Sequence, residues 1–206
     1  MTTTPTDHLG PRTATMSEAA PLADSLAAAF SDDPVFGWLM PDSATRVERL
    51  ARFFRLELRQ LALRYGQVWT TDGLAAAALC MPPGTWHMPA RVAISQAPDF
   101  VRMFGRRLAL ASGLFARMES RHLREPHFYF AYIGVAPHQQ GEGIGTRLMQ
   151  PTLERCDLEQ LPAYLEASSE RNATLYERLG FVHQEQFGFA GSPPLRPMIR
   201  PPRMQR

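Results

Sequence analysis

The apolar positions change their spacing along the chain, and each change marks an element. After a short strand at Thr13 to Met16, apolar residues recur at helical intervals from Ser17, a plausible N-cap, through Phe30. Ser31-Asp32-Asp33-Pro34 ends that helix, because the residue before a proline is pushed out of the helical region. A second helix runs from about Ala44 to Tyr65 and stops at Gly66. The period then falls to two. Val68-Trp69-Thr70-Thr71, Asp72-Gly73 and the run Leu74 to Met81 predict two antiparallel strands joined by a tight Asp-Gly turn, with Pro82-Pro83-Gly84 ending the second. Ala90 to Leu123 is a long arginine-rich helical region carrying Gly105 and Gly113, read as two helices or a broken one over a face of the sheet.

Phe128 to Val135 is aromatic and rich in strand formers, which predicts a central strand. A helix follows from Gly143 to about Gln160, with Pro151 removing one backbone bond inside it. Ala163 to Ala167 reads as a strand, Glu170 to Leu179 as a helix closed by Gly180, and Phe181 to Phe189 as a strand, before a Pro/Arg-rich tail. The order is that of a mixed α/β protein without repeats.

Length and charge narrow the classes. A chain of 206 residues with 45% apolar content suits one compact domain, expected over 1–206 with frayed ends at about 1–10 and 192–206. All 22 basic residues are arginines, and they nearly cancel 20 acidic ones. A net charge of +2 argues against a nucleic-acid partner. Cys80 and Cys156 match no metal or redox spacing and are expected as buried thiols in a reducing cytosol. Met1 to Gly10 lacks the apolar core of a signal peptide, and Leu74 to Met81 is too short to span a bilayer, so a cytoplasmic protein without a membrane partner is expected.

The chemistry concentrates between the central strand and the helix after it, at Ile133-Gly134-Val135-Ala136-Pro137-His138-Gln139-Gln140-Gly141-Glu142-Gly143-Ile144-Gly145-Thr146. Three alternating glycines at a helix N-terminus leave backbone N–H groups open to an anion such as a pyrophosphate. A Rossmann dinucleotide site is a competing reading, since Glu166 lies about twenty residues on. The spacing here is Gly-x-Gly-x-Gly instead of Gly-x-Gly-x-x-Gly, however, and too little chain follows for a doubly wound sheet.

Gln140-Gly141-Glu142-Gly143-Ile144-Gly145 resembles the Q/R-x-x-G-x-G/A signature of the GCN5-related N-acetyltransferases (GNAT), preceded by a strand end like theirs at Ile133-Gly134-Val135. Leu165 to Phe181, with Asn172, Tyr176 and a closing Leu179-Gly180-Phe181, is similar to that family's second block. Leu26 to Phe30 ahead of Asp33-Pro34, Gly66-Gln67-Val68-Trp69, Arg124-Glu125-Pro126 and Pro151 resemble the puromycin N-acetyltransferase branch, whereas Tyr132 and the long arginine-rich region depart from it. The resemblance implies the GNAT fold, a mixed and mostly antiparallel central sheet of about six to seven strands flanked by helices. It also implies acetyl-CoA as co-substrate, no metal, and transfer to an amine by direct attack.

The resemblance further implies that Ile133, Gly134 and Val135 offer backbone groups to the pantetheine arm and that Gln140, Gly141, Glu142, Gly143, Ile144, Gly145 and Thr146 wrap the pyrophosphate. Arg147 either adds charge there or is an ordinary surface arginine. Asn172 and Tyr176, one helical turn apart, become a coenzyme contact and the acid that protonates the departing thiolate. From its own surroundings alone, Tyr176 reads instead as a core aromatic beside Leu175 and Leu179. Glu166, beside apolar residues such as Leu165, is a candidate base with a raised pKa, or else a solvated or structural carboxylate. His127 and Tyr129 are weaker candidates. Phe30, Phe36, Trp38 and Trp86 suggest a closed pocket for a small-molecule amine, with Asp32 and Asp33 able to steer an ammonium and Arg102 to Arg124 opposing a basic peptide. A protein-directed acetyltransferase, and a coenzyme-binding module without turnover, remain as alternatives. A monomer or homodimer is expected.

Overall fold

The computed structural model describes residues 10–65, 67–87 and 90–203; the expectations for residues 1–9, for Gly66 and for residues 204–206 lie outside it. Seven strands form one sheet: β1 (Arg12–Thr13), β2 (Val68–Thr70), β3 (Ala76–Met81), β4 (Phe128–Val135), β5 (Ala163–Ala167), β6 (Val182–His183) and β7 (Arg196–Arg200). Their order is β1-β2-β3-β4-β5-β7-β6, and all neighbours are antiparallel except β4 and β5. The helices are α1 (Ala19–Ala29), α2 (Pro34–Leu39), α3 (Ser43–Gln60), α4 (Ala90–Ser95), α5 (Ala97–Phe104), α6 (Leu108–Arg121), α7 (Ile144–Glu159) and α8 (Glu170–Arg178).

Alternation along β3 assigns the two faces. Ala77, Leu79 and Met81 enter the core built from α1, α2, α3, α5 and α6, whereas Ala76 and Ala78 meet Ile144 and Leu148 of α7, and Cys80 joins Met149, Leu153 and Cys156. Both cysteines are thus buried free thiols. α7 runs through Pro151 without a break. Among the described residues, no helix is long and apolar enough to cross a membrane.

Several expectations need correction. The short strand is Arg12–Thr13, and Thr15, not Ser17, precedes the first helical turn, its N–H donating to Glu18 Oε2 at 2.8 Å. Pro34 starts a helix as well as ending one: Asp33 accepts from the N–H groups of Val35 and Phe36, which makes it the N-cap of α2 with proline at N1. The hairpin loop is longer than two residues, because Thr70 pairs with Ala77 and the left-handed residue is Leu74, not Gly73. The arginine-rich region breaks at Gly105, whose φ is +51°, while Gly113 stays inside α6 beneath the ring of Phe189.

The largest correction concerns the C-terminal end. The stretch read as a frayed tail supplies β7, which pairs with all five residues of β5 and separates it from β6. Arg200 fixes β7 to α7 through two bonds to the Asp157 carboxylate, at 2.8 and 2.7 Å, which hold that carboxyl below its ordinary range. The strand expected over Phe181 to Phe189 shrinks to Val182–His183 and a single bridge from Phe187 to Leu195.

Gly134 lies where α1 crosses β4. A Cβ there would come within 2.7 Å of Leu26 Cδ2, 3.0 Å of Phe30 Cε2 and 3.1 Å of Ala29 Cβ. Leu26 is itself fully packed, so the added methyl has nowhere to push it. Gly134→Ala should therefore destabilise the protein by about 1–3 kcal/mol, the usual cost of overpacking, read from the urea midpoint. An unchanged midpoint would mean that α1 can lift from the strand.

Candidate active site

The site begins with a fault in the sheet. β4 and β5 pair only at Phe128↔Ala163 and Tyr129↔Tyr164, after which β4 continues to Val135 and β5 to Ala167 without meeting. Glu166 registers the gap: its side chain is only 2% exposed although the residue as a whole is half-buried, so the exposure lies in its main chain. A bulge contributes on the other edge of β4. Cys80 pairs with Phe130 and Leu79 with Tyr132, which leaves Ala131 as an extra residue. Strict alternation would put Tyr129 and Tyr132 on opposite faces; with the bulge, both look into the same cavity, under α3 and α6.

The glycine loop leads from the end of β4 into α7. Gly141 and Gly143 have φ of +89° and +73°, conformations that side chains disfavour, and Gly143 is the N-cap of α7 without any side-chain bond to the first-turn N–H groups. Gln140 Nε2 donates to Val135 O at 3.0 Å, and Arg147 Nη1 to Glu142 O at 2.9 Å, so Arg147 braces the loop. Buried Gln139 Oε1 has no hydrogen-bond partner. Ile133 and Val135 face α7, beside Ile144 and Leu148, and Gly145 passes close beneath them. Gly134 is explained by α1. Thus the candidate coenzyme residues Ile133 to Thr146 form one continuous track from the gap to the α7 N-terminus. Asn172 is exposed on α8, whose N-cap Ser169 accepts from its N–H.

On the opposite side of β4 lies a cavity of about 340 Å³, walled by α3, α5, α6 and the β3 end. Of the four aromatics expected there only Trp86 lines it. Phe53, Phe100 and Phe115 supply the rest of the apolar wall, while Phe30 and Phe36 belong to the aromatic cluster behind Tyr132, and Trp38 lies under Arg107. Glu57 of α3 also lines the cavity, and burial alone pushes its carboxyl up to about 7. The sequence held a signal for it: Glu57 interrupts the helical apolar face Leu50, Phe53, Phe54, Leu58 and Leu61.

Tyr176 is buried against Phe181, with its pKa raised by burial and then by the charge of Asp33, so its phenol keeps its proton at neutral pH. Asp33 is half-buried, and Ser168 Oγ donates to it; burial raises its pKa against that bond and the α2 N–H groups. Asp32 stays exposed. Asp33 therefore ties the α2 start to the β5–α8 junction, which is a fixed position and not the steering role expected.

Glu166 lies on the other face of β5 from Leu165, so the apolar surroundings inferred from sequence neighbours are absent. Its Oε1 accepts from Tyr164 Oη at 3.0 Å, Tyr129 also bonds to it, and His122 Nδ1 stands 3.7 Å away. His127 is buried, although a lone histidine at a strand start after Pro126 reads from sequence as a surface residue, and its Nε2 lies 2.9 Å from His122 Nε2. His122 went unrecognised because a histidine at the end of a helical run carries no periodic signal. No group of three or more His, Cys, Asp and Glu among the described residues is arranged to hold a metal ion.

Residues 109–183 match the acetyltransferase (GNAT) domain family. An N-acetyltransferase of Schizosaccharomyces pombe, described as uncharacterised, is 40% identical over 38% of this chain, which spans about a third (34%) of that relative. A solved structure described as a histone acetyltransferase and related acetyltransferase, from Corynebacterium glutamicum, is 26% identical, with 95% of this chain and 97% of that one covered and a TM-score of 0.72. A Drosophila melanogaster polyamine N-acetyltransferase shares the fold at 17% identity, with 93% and 98% covered and a TM-score of 0.57. The split sheet with a glycine-lined helix start thus has the GNAT fold, and residues 109–183 are similar in sequence to GNAT acetyltransferase domains.

Proposed function

We propose that the protein is an N-acetyltransferase that moves an acetyl group from acetyl-CoA to the primary amine of a small molecule by direct attack. The observation that carries this reading is the gap between β4 and β5, with an open glycine cradle on one side of the sheet and an aromatic cavity on the other. Backbone groups in the middle of a sheet need partners, and an extended amide arm is suited to supply them. Ile133 and Val135 would hold that arm, and the N–H groups from Gly141 to Thr146 the phosphates. When bound, the coenzyme supplies a thioester whose carbonyl carbon accepts the amine. Tyr176, protonated at neutral pH, would donate to the leaving sulfur. Glu166, on the acceptor side, would assist loss of the ammonium proton.

A second reading has one observation in its favour: the Corynebacterium structure is described as a histone acetyltransferase. The shape of the cavity favours a small acceptor instead. It is walled by aromatic rings and Met118, with Glu57 and Glu119 as its carboxylates, and a largely apolar site of about 340 Å³ fits one amine-bearing side arm or small molecule better than a run of basic residues. The finer likeness to the puromycin branch points the same way, although of the residues that carry it only Arg124, Glu125 and Pro126 border this region.

Acetyl-CoA should raise the melting temperature of the protein, since a ligand binding only the folded state adds about 2.7 kcal/mol at a hundredfold excess over Kd. Gly143→Val should abolish the rise by blocking phosphate approach; a rise that persists would reduce the loop to a turn. Tyr176→Phe should lower kcat by roughly ten- to ten-thousandfold with coenzyme binding nearly intact, because it removes only the proton donor. Equal activity would return Tyr176 to a packing role. Arylalkyl amines should exceed lysine peptides in kcat/KM at equal ionic strength. A tenfold preference for peptides would favour the protein-directed reading, and no turnover of either, with the coenzyme bound, a binding module.

A further inference from the structure

A chain of three polar contacts runs from the loop before β4 to Glu166, and its hydrogen positions can be deduced one by one. Glu125 O can only accept, so His127 Nδ1, 2.6 Å away, must carry a proton and donate it. Burial lowers the pKa of His127, which favours its neutral form and leaves a lone pair on Nε2. His122 Nε2, at 2.9 Å, then has to be the donor of that second bond. In neutral His122 the remaining nitrogen, Nδ1, holds a lone pair. It faces Glu166 Oε1 at 3.7 Å, beyond hydrogen-bond reach, so it is not committed to the carboxylate.

His122 also stands where an acceptor would be. Its side chain is 3% exposed and lines the aromatic cavity, and one ring face is covered by Trp86 with centroids 3.7 Å apart. The ionisable groups around it are Tyr129 on β4, Tyr164 and Glu166 on β5, His127 before β4, Glu119 on α6, Glu57 across the cavity on α3, and His87 beyond Trp86. Glu119 is engaged with His87 at 3.2 Å, and Glu166 with the two phenols. No basic side chain other than histidine lines the cavity.

Resting on the acetyltransferase reading above, we propose that His122 Nδ1 is the base that takes the proton from the acceptor's ammonium, with His127 and Glu166 as positioning residues. One N–H bond of the ammonium breaks, and its proton goes to Nδ1. The electron pair left on nitrogen forms the new C–N bond to the acetyl carbon; the C–S bond breaks, its electron pair and a proton from Tyr176 going to sulfur, and the second N–H proton restores the phenol through solvent, leaving a neutral amide and a free thiol. The His122 imidazolium then faces the Glu166 carboxylate, which stabilises it, while His127 keeps Nε2–H in place. Glu166 thus contributes to deprotonation through His122, by stabilising the charge that forms on it.

The test uses the full chain, with acetyl-CoA-induced stabilisation as the check that each variant folds. His122→Asn should lower kcat/KM for an arylalkyl amine by roughly a hundredfold or more. Because a base must be unprotonated to accept, wild-type kcat/KM should rise with pH along an acid limb, and the variant should lose that limb. His127→Asn should reduce kcat with KM little changed and displace the limb without deleting it. Nitrogen-15 spectra of the histidine rings read the tautomers whether or not any amine turns over. They should give Nδ1–H for His127 and Nε2–H for neutral His122, and a neutral His122 protonated on Nδ1 would overturn the proposal. So would a folded His122→Asn protein with wild-type rate and pH profile; if Glu57→Gln then lost the limb, the base would be Glu57. A wild-type protein that binds the coenzyme but acetylates no amine fails the acetyltransferase reading instead, and the spectra still decide whether His122 is built as a base.

Discussion

The parting of β4 from β5 is the constraint around which the rest of the molecule is arranged. Main-chain N–H and C=O groups in the interior of a sheet are nearly always paired, so a gap there must be held open. Three contacts hold it. β5 is paired along its whole length to β7 and so is fixed from the side away from β4. The extra residue at Ala131 bends β4, and Gly134 lets α1 press onto the strand just beyond the bulge. The same bulge turns Tyr129 and Tyr132 into one cavity. The register shift that bends β4 beside the gap therefore also lines the cavity.

Charge is divided between the two sides of this opening. The cavity side holds Glu57, which burial raises, and Glu166 beside His122, while among the described residues the cavity lining contains no arginine despite the 22 in the chain. Buried carboxylates without a matching cation are costly, and an ammonium entering the cavity would offset part of that cost. The α7 side presents the opposite polarity through N–H groups and a helix start, not through side chains, which suits an anion. On the proposed reading, the sites for a cation and an anion are separated by the thickness of one sheet.

Much of this was legible in the sequence where the information is local. β4 and β5 fall at the residues where the sequence reading put them, β4 through its strand-forming composition, and α7 and α8 begin and end within about a residue of the expected bounds. What failed to show depends on contacts far apart in the chain. The Pro/Arg-rich composition of residues 192–206 suggests no strand, yet Arg196–Arg200 becomes one because β5 and Asp157 wait for it. The bulge at Ala131 is set by the register with β3 and leaves no mark in composition. His122 gains its meaning only from His127, Glu166 and Trp86, brought to it by three different segments. Asp33-Pro34 carried two messages, stop and start, of which pattern reading caught the first.

The place of β7 bears on how the chain reaches its fold during synthesis. Strands β1 to β5 and every helix precede it, but β5 has only two residue pairs to β4 and gains its other five from β7. Until Arg196–Arg200 has left the ribosome, β5 has a bare edge on one side and an open gap on the other, and the edge strand Val182–His183 has nothing to pair with. The half of the sheet that carries Glu166 and leads into α8 must therefore form last, after translation of nearly all of this sequence. Long-range pairing of this kind closes slowly, and the exposed β5 edge is where a stalled chain would recruit a neighbour.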